Sequence, residues 1–228
     1  MAQLKILGAG PVKRGITQVA AAFGKASGHE VTVEFTGAPT VRERVLAGEA
    51  VDIAVVPSAT MDEFAAAGRV KAATRTTLGR ARMGLAIRKG AARPDLSSTE
   101  AFKHAVGQAD AVVANLANSG NYVAKLLEQQ GFAADKIRRQ QDAVKVMDMV
   151  AGSPEKLLGA GQLPEIRELI DKGVAIELAG PLPDALQSIT AYDAAATVAG
   201  GGGEAAAAFI AYLTTADARA AMAATGID

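Results

Sequence analysis

Polar and cationic side chains follow the ends of four short apolar runs in this sequence, and one tyrosine lies in a late extended segment. Hydroxyl groups, amides, cations and the free backbone N–H groups of glycine-containing turns are the donors that hold small anions. These turns contain no histidine and no obvious carboxylate, so their chemistry is that of binding rather than of proton transfer. The candidate ligand-binding residues are, in chain order, Gly10, Pro11, Lys13, Thr36, Gly37, Ala38, Arg42, Ser58, Asn118, Ser119, Gly120, Gln162 and Tyr192.

Three cations accompany the first two of these turns. Lys13 and Arg14 fall in the first turn of the first predicted helix, where the helix dipole disfavours positive charge. Arg42 falls near the start of the second helix, and arginine is the side chain best suited to bidentate carboxylate binding. Each has a simpler interpretation, since Lys13 and Arg14 could be solvated and Arg42 could pair with a nearby glutamate. We expect at least one of the three to contact a ligand.

Strands and helices alternate along the chain, and this alternation must position the turns. Leu4–Leu7 and Val31–Phe35 are predicted strands, and the apolar run Val51–Val56 suits a strand buried on both faces. Helical spacing of apolar residues fills Val12–Lys25. Such alternation predicts an α/β fold of parallel βαβ units. In open parallel sheets, ligands bind beyond the carboxyl ends of the strands, where helix N-termini supply N–H groups and positive potential.

Local signals also predict where individual elements begin and end. Thr60 followed by Glu63 has the pattern of a capping box, which predicts that a helix begins after Thr60. The run Leu157–Gln162 predicts a strand that closes on a glycine-rich turn. The segment Asn118–Gly120 is predicted to be a turn that precedes a helix over Asn121–Gln130.

The amino-acid composition argues against several kinds of partner and site. The 24 basic residues balance the 24 acidic ones without any like-charged run, so neither nucleic acid nor an anionic membrane surface is an expected partner. Cysteine is absent and the only histidines are His29 and His104, so we expect no disulfide and no metal site. We expect no cofactor, because Gly8–Gly10 is half of a dinucleotide fingerprint and Gly200–Gly203 lacks the pattern of a phosphate loop.

The first residues of the sequence indicate the cellular compartment in which the protein is expected. Met1–Gln3 lead directly into a strand, without the basic and apolar segments of a signal peptide. No apolar run reaches the roughly 20 residues that span a bilayer, so no membrane insertion is expected. The sequence as written predicts a cytoplasmic protein, and a periplasmic one if a signal has been removed.

The order of these pieces resembles the type II periplasmic binding proteins, and most closely their molybdate-binding branch. The resemblance is carried by Leu4–Phe23, Val31–Val45, Asp52–Met61 and Gly173–Asp228, and it covers nearly the whole chain. Each segment is weakly specific alone, and the series in this order is the specific feature.

This resemblance implies an α/β fold of two lobes with a ligand cleft between them. One lobe would hold residues 1–81 plus 190–228 and the other residues 82–189, joined by a hinge that closes over the ligand. It also implies a small-molecule anion as ligand and, for a periplasmic protein, an ABC transporter permease as partner.

The sequence departs from the molybdate-binding pattern at ligand positions. Pro11 and the turn Gly37–Pro39 stand where the resemblance implies oxyanion-binding serines, and Ala160 stands where it implies a tyrosine. A buried anion that lacks donors is costly, so we expect a small organic carboxylate. Two alternatives remain open. One is an isomerase of a small unsaturated carboxylate, because aconitate isomerase resembles the same branch, and the other is a genuine molybdate or tungstate receptor.

Overall fold

The computed structural model describes residues 2–228, which form two compact units. The first unit combines the residues up to Ala81 with Thr190–Asp228, and the second unit is Arg82–Ile189. Within residues 2–228, no helix combines the length and the apolarity needed to cross a bilayer.

The sheet of the first unit is built around its first strand. β1 (Gln3–Ala9) pairs in parallel with β2 (Glu30–Thr36) on one side and with β3 (Ile53–Pro57) on the other. The last strand, β9 (Ile189–Ala196), adds antiparallel to β3. The parallel βαβ arrangement predicted from the sequence is therefore confirmed.

Helices cover both faces of this sheet. One face packs against α1 (Lys13–Ser27), α8 (Gly203–Leu213) and α9 (Ala216–Ala224). The other face packs against α2 (Ala38–Leu46) and α3 (Ser58–Ala66). Because successive side chains of a strand point to opposite faces, a strand covered on both sides must be apolar at every position.

The third strand shows this requirement clearly. Ile53 and Val55 belong to the core beneath α1, whereas Ala54 and Val56 belong to the core beneath α2 and α3. All four side chains are fully buried. The unbroken apolar run that predicted a strand buried on both faces is thus explained by packing.

The second unit has a mixed sheet. The long β4 (Thr76–Arg88) begins in the first unit and, within the second, pairs antiparallel with β7 (Leu157–Gln162) and β8 (Ile176–Pro181). β5 (Ala111–Asn115) pairs in parallel with β7 and with β6 (Ile137–Gln140). The carboxyl ends of β5, β6 and β7 therefore lie along one edge.

The helices of the second unit also lie on two faces. α4 (Thr99–Gln108) and α5 (Asn118–Gln129) pack on one face. α6 (Ala143–Gly152) and α7 (Leu163–Asp171) pack on the other. As in the first unit, helices on both faces leave the ends of the parallel strands as the place where loops and helix N-termini gather.

Two boundary predictions were wrong. Helix α3 begins at Ser58 with Pro57 as its N-cap, so Thr60 lies inside the helix and caps nothing. Gly159 and Gly161 lie within β7 rather than in a turn. They are needed there because α6 packs against the strand: a Cβ at Gly159 would meet Met147 Sδ at 3.0 Å.

The segment Gly200–Gly203 is fixed by hydrogen bonds to side chains of the same protein. The N–H of Gly202 donates to Asp52 Oδ1 at 2.6 Å, and the N–H of Gly200 donates to Thr197 Oγ1 at 3.0 Å. A Cβ at Gly200 would lie 2.5 Å from the Asp52 Cα. Gly200 therefore serves a close backbone approach to Asp52.

Candidate functional site

Three strand ends lie side by side in the first unit. The register pairs Ala9 with Thr36 and Gly8 with Val55, so β1, β2 and β3 finish at the same edge of the sheet. α1 follows β1 through a 3₁₀ turn, and α2 and α3 follow β2 and β3 almost directly. The N-termini of three helices thus gather at one edge, as the alternation of elements predicts.

The N-termini of α1, α2, α3 and α5 differ from those of the other five helices described in residues 2–228. In none of these four does the side chain of the N-cap residue accept a hydrogen bond, and none has an acidic residue in its first turn. Each of the others has one or both: α4 is capped by Ser98, α6 by Asp142 and α9 by Thr215, while α7 and α8 carry an acidic first turn. A missing cap forfeits about 1 kcal/mol, and the uncompensated N–H groups and dipole favour a negative partner.

The first two turns hold the predicted residues as follows. Gly10 and Pro11 form the partly buried 3₁₀ turn ahead of α1, and Lys13 is exposed in the first turn of that helix. Thr36 ends β2, and Gly37 is the N-cap of α2, whose first residue is Ala38. Pro11 offers no N–H, so donors at the first turn must come from its neighbours.

Arg42 points to another helix. Its Nε donates to Glu63 Oε2 at 2.5 Å, and both side chains are about half exposed (50% and 47%). Arg42 therefore makes a surface ion pair with α3. The glutamates near Arg42 in sequence do not serve as its partner, and Glu49 instead pairs with Arg44 and Lys5.

The third turn contains an ion network that the sequence analysis missed. Arg75 Nε donates to Asp193 Oδ2 at 2.6 Å, and its Nη1 donates to Asp62 Oδ1 at 2.5 Å. Its Nη2 also donates to the backbone oxygen of Ser58 at 3.3 Å, at the start of α3. The guanidinium thus joins β9 to the turn that follows β3.

Asp193 is the buried member of this network. It is 1% exposed, and its second oxygen, Oδ1, has no hydrogen-bond partner among residues 2–228. Its position in β9 interrupts an otherwise apolar run, which is the signal that could have identified it. Tyr192, the neighbouring predicted residue, is likewise 1% exposed and packs in the core beneath α1.

The turn after β5 is organised by one asparagine side chain. Asn115 Oδ1 accepts hydrogen bonds from the N–H of Ala117 (3.1 Å), the N–H of Gly120 (3.1 Å) and the hydroxyl of Ser119 (3.3 Å). Asn118 is exposed beside them. Helix α5 begins at Asn118, so the predicted ligand-facing residues form its first turn rather than a separate loop.

Arg139 reaches the same turn from β6. Its Nη2 donates to the backbone oxygen of Asn115 at 2.7 Å and to Asn121 Oδ1 at 2.6 Å. Its Nε is buried and has no acceptor among the described residues. Nothing in the sequence distinguishes Arg139 from the preceding Arg138, because the two differ only in the face of the strand on which they lie.

The fourth turn, after β7, has its own carboxyl group. Gln162 is buried (6% exposed) and is the N-cap of α7, and Glu165 follows in the first turn. Burial raises the pKa of the Glu165 carboxyl to about 7, and the nearby charges of Glu168 and Asp142 act in the same direction. This group changes its protonation near neutral pH, which suits acid–base chemistry.

Comparison with known proteins gives one family and several relatives. The family described as bacterial extracellular solute-binding protein matches residues 4–228. An aconitate isomerase from Pseudomonas sp is 28% identical over 233 residues, which cover 98% of this chain and 87% of that protein.

Solved structures share the fold. The Azotobacter vinelandii periplasmic molybdate-binding protein superposes with a TM-score of 0.79 at 17% identity, covering 99% of this chain and 98% of that one. L-phospholactate-bound PEB3 superposes with a TM-score of 0.72 at 14% identity, covering 98% of each chain. The periplasmic binding protein fold predicted from the resemblance is thereby confirmed.

Proposed function

The chain belongs to the bacterial extracellular solute-binding proteins, and from that premise we propose that it binds a small organic carboxylate. Its type is that of the molybdate-binding proteins, with which it shares the fold over nearly its full length. The proposal concerns the chemistry of the ligand within that type.

The observation that carries the proposal is the set of four helix N-termini without cap or acid. α1, α2 and α3 supply three of them at one edge of the first unit, and α5 supplies the fourth in the second unit. In a folded chain such N-termini are ordinarily satisfied by side chains. The lack of caps and acids at these strand ends is explained if anionic groups from outside the chain complete the N-termini in each unit.

The side chains at these turns favour a carboxylate over a tetrahedral dianion. Pro11 lacks an N–H, and Ala38 lacks a hydroxyl, so the donors around a fully desolvated dianion would be too few. A carboxylate has two oxygens that bear one charge, and fewer donors satisfy it. The same fold holds L-phospholactate, which has both a carboxylate and a phosphate group, in PEB3, so it accommodates an organic acid.

Thermal unfolding tests the ligand class directly. With a carboxylate present at about 100 times its dissociation constant, linkage stabilises the protein by about 2.7 kcal/mol. For a chain of this size we expect the melting temperature to rise by about 5–10 °C. The panel consists of cis- and trans-aconitate, citrate, shorter carboxylates, sulfate, molybdate and tungstate, measured by differential scanning fluorimetry.

One helix offers a matched pair of variants for this experiment. Lys13→Gln removes a cation from the first turn of α1, and Lys25→Gln removes one from its last turn. We expect the first to weaken carboxylate binding by about two- to fivefold, the effect of an exposed charge, and the second to leave it unchanged. A response to molybdate or tungstate alone would overturn the carboxylate proposal, and no response to any anion would overturn anion binding altogether.

A second candidate function is isomerisation of a small unsaturated carboxylate. The aconitate isomerase relative favours it, and so does the carboxyl of Glu165 with its pKa of about 7. Moving a double bond needs one group that removes an allylic proton and returns it at another carbon. A carboxyl group that is half ionised at neutral pH can do both.

The test of this candidate is conversion of trans-aconitate to cis-aconitate, followed by chromatography. We expect the rate to rise through pH 7 as Glu165 ionises, and Glu165→Gln to lower it by at least about 100-fold. Glu168→Gln, one turn along the same helix, removes a charge that raises the pKa of Glu165, so it should move the rise of the rate to lower pH and change the plateau rate by less than about threefold. Binding of trans-aconitate without conversion would exclude the isomerase and leave the receptor.

A further inference from the structure

Arg139 differs from the arginines that make ion pairs in the structure. Its guanidinium has no carboxylate within salt-bridge distance among residues 2–228, although it is partly buried. A buried charge without a counter-charge is costly, and so is a buried N–H without an acceptor. Carboxylates pair, by contrast, with Arg42, Arg44, Arg75, Arg82 and Arg138.

The orientation of Arg139 is fixed by the fold. Both hydrogens of Nη2 are used, one by the backbone oxygen of Asn115 and one by Asn121 Oδ1. The guanidinium is planar, so anchoring one of its nitrogens fixes the direction of the other donors. The three N–H groups of Nε and Nη1 have no acceptor among the described residues, and Nε is buried.

The surroundings of Arg139 are those of an anion site. Asn115, whose backbone oxygen holds the guanidinium, also holds the first turn of α5 through its side chain. The first turn of α5 has no acidic residue, and Asn115, which accepts the Gly120 N–H, is uncharged, so the positive end of the helix faces no negative side chain of its own. A fixed guanidinium and a helix N-terminus next to each other both favour a negative group.

We propose that Arg139 binds a carboxylate group of the ligand at the start of α5. This inference rests on the proposed function and adds the residue that selects a carboxylate in the second unit. Because both hydrogens of Nη2 are used, Nη1 is the nitrogen left to donate to a carboxylate oxygen, and the positive charge of the guanidinium strengthens that bond. The first turn of α5 supplies further donors to the same group.

Isothermal titration calorimetry with cis-aconitate, trans-aconitate and citrate tests the inference. We expect Arg139→Met to raise the dissociation constant of the carboxylate that binds best by about 10- to 100-fold, the effect of losing charge-assisted hydrogen bonds. Arg139→Lys keeps the charge but loses the two hydrogen bonds that anchor the side chain at Asn115 and Asn121, and should recover less than half of the loss on a logarithmic scale. Arg138→Met is the matched control, because Arg138 lies on the opposite face of β6 and pairs with Glu155.

A second variant distinguishes direct ligand binding by Arg139 from a structural role of its side chain. Asn121→Ala removes one anchor of the guanidinium and keeps its charge, so we expect it to weaken binding by less than Arg139→Met does. Melting temperatures of all variants, measured without ligand, report any damage to the fold.

Each outcome has a distinct meaning. Equal affinities of wild type and Arg139→Met would overturn the inference and leave the proposed function intact. A loss of affinity in Arg139→Met that Arg138→Met reproduces would also overturn it. If the wild type binds none of the three carboxylates, the proposed function itself fails, and the inference fails with it.

Discussion

We expect Gly120→Ala to destabilise the protein by about 3 kcal/mol or more, at the upper end of what overpacking does in protein cores. A Cβ at this position would lie 1.8 Å from the backbone oxygen of Asn115 and 2.7 Å from its Oδ1. Backbone cannot move aside as the end of a flexible side chain does. The first turn of α5 must therefore shift away from β5, breaking the hydrogen bonds that Asn115 accepts.

Urea denaturation of Gly120→Ala measures this effect, and Gly107→Ala is its control. Gly107 lies inside α4, and a Cβ added there would have no described atom within 4 Å, so alanine should stabilise the helix by about 0.5–1 kcal/mol. Because the displaced turn carries the proposed donors, carboxylate binding should also be lost in Gly120→Ala. A Gly120→Ala protein within about 1 kcal/mol of the wild type would contradict the close approach of α5 to β5.

The second large effect is expected for Arg75→Met. The substitution leaves the carboxylate of Asp193 buried without its counter-charge, which destabilises proteins by about 3–5 kcal/mol. It also breaks the link between β9 and the start of α3, where Asp62 and the Ser58 carbonyl accept from the same guanidinium. We therefore expect a lower free energy of unfolding and a less ordered third turn.

A double-mutant cycle in urea distinguishes the buried pair from an ordinary ion pair. Adding Asp193→Leu to Arg75→Met should restore at least half of the loss, because the unpaired charge is removed. The control is Arg82→Met, whose partner Asp184 is 95% exposed, and it should lose less than about 1 kcal/mol. Additive losses in the cycle would show that Arg75 and Asp193 do not act as a pair.

The fold was accessible from the sequence because its signals are local. An unbroken apolar run such as Ile53–Pro57, followed at once by helical spacing, predicts a buried parallel strand and its helix. The turns at strand ends follow from this alternation, since parallel strands finish at one edge. The turn residues Gly10, Gly37 and Ser58 accordingly lie where the elements predict.

Local signals failed where tertiary contacts override them. Thr60 and Glu63 have the spacing of a capping box, yet packing of α3 against β3 starts the helix at Ser58, and Glu63 pairs with Arg42. Gly159 has the propensity of a turn residue, yet the strand continues through it because α6 needs the space of a side chain. Each signal is worth about 1 kcal/mol, less than the burial it competes with.

The sequence by itself determined the α/β fold, the strand ends and the excess of donors over acids at the turns after β1, β2, β3 and β5. Only the tertiary structure decided which charges meet. Arg75 and Asp193 are 118 residues apart, and Arg138 and Arg139 are neighbours that receive opposite surroundings. The physical reason is that helix and strand periodicity acts over a few residues, whereas ion pairing and desolvation depend on distances that only the folded chain creates.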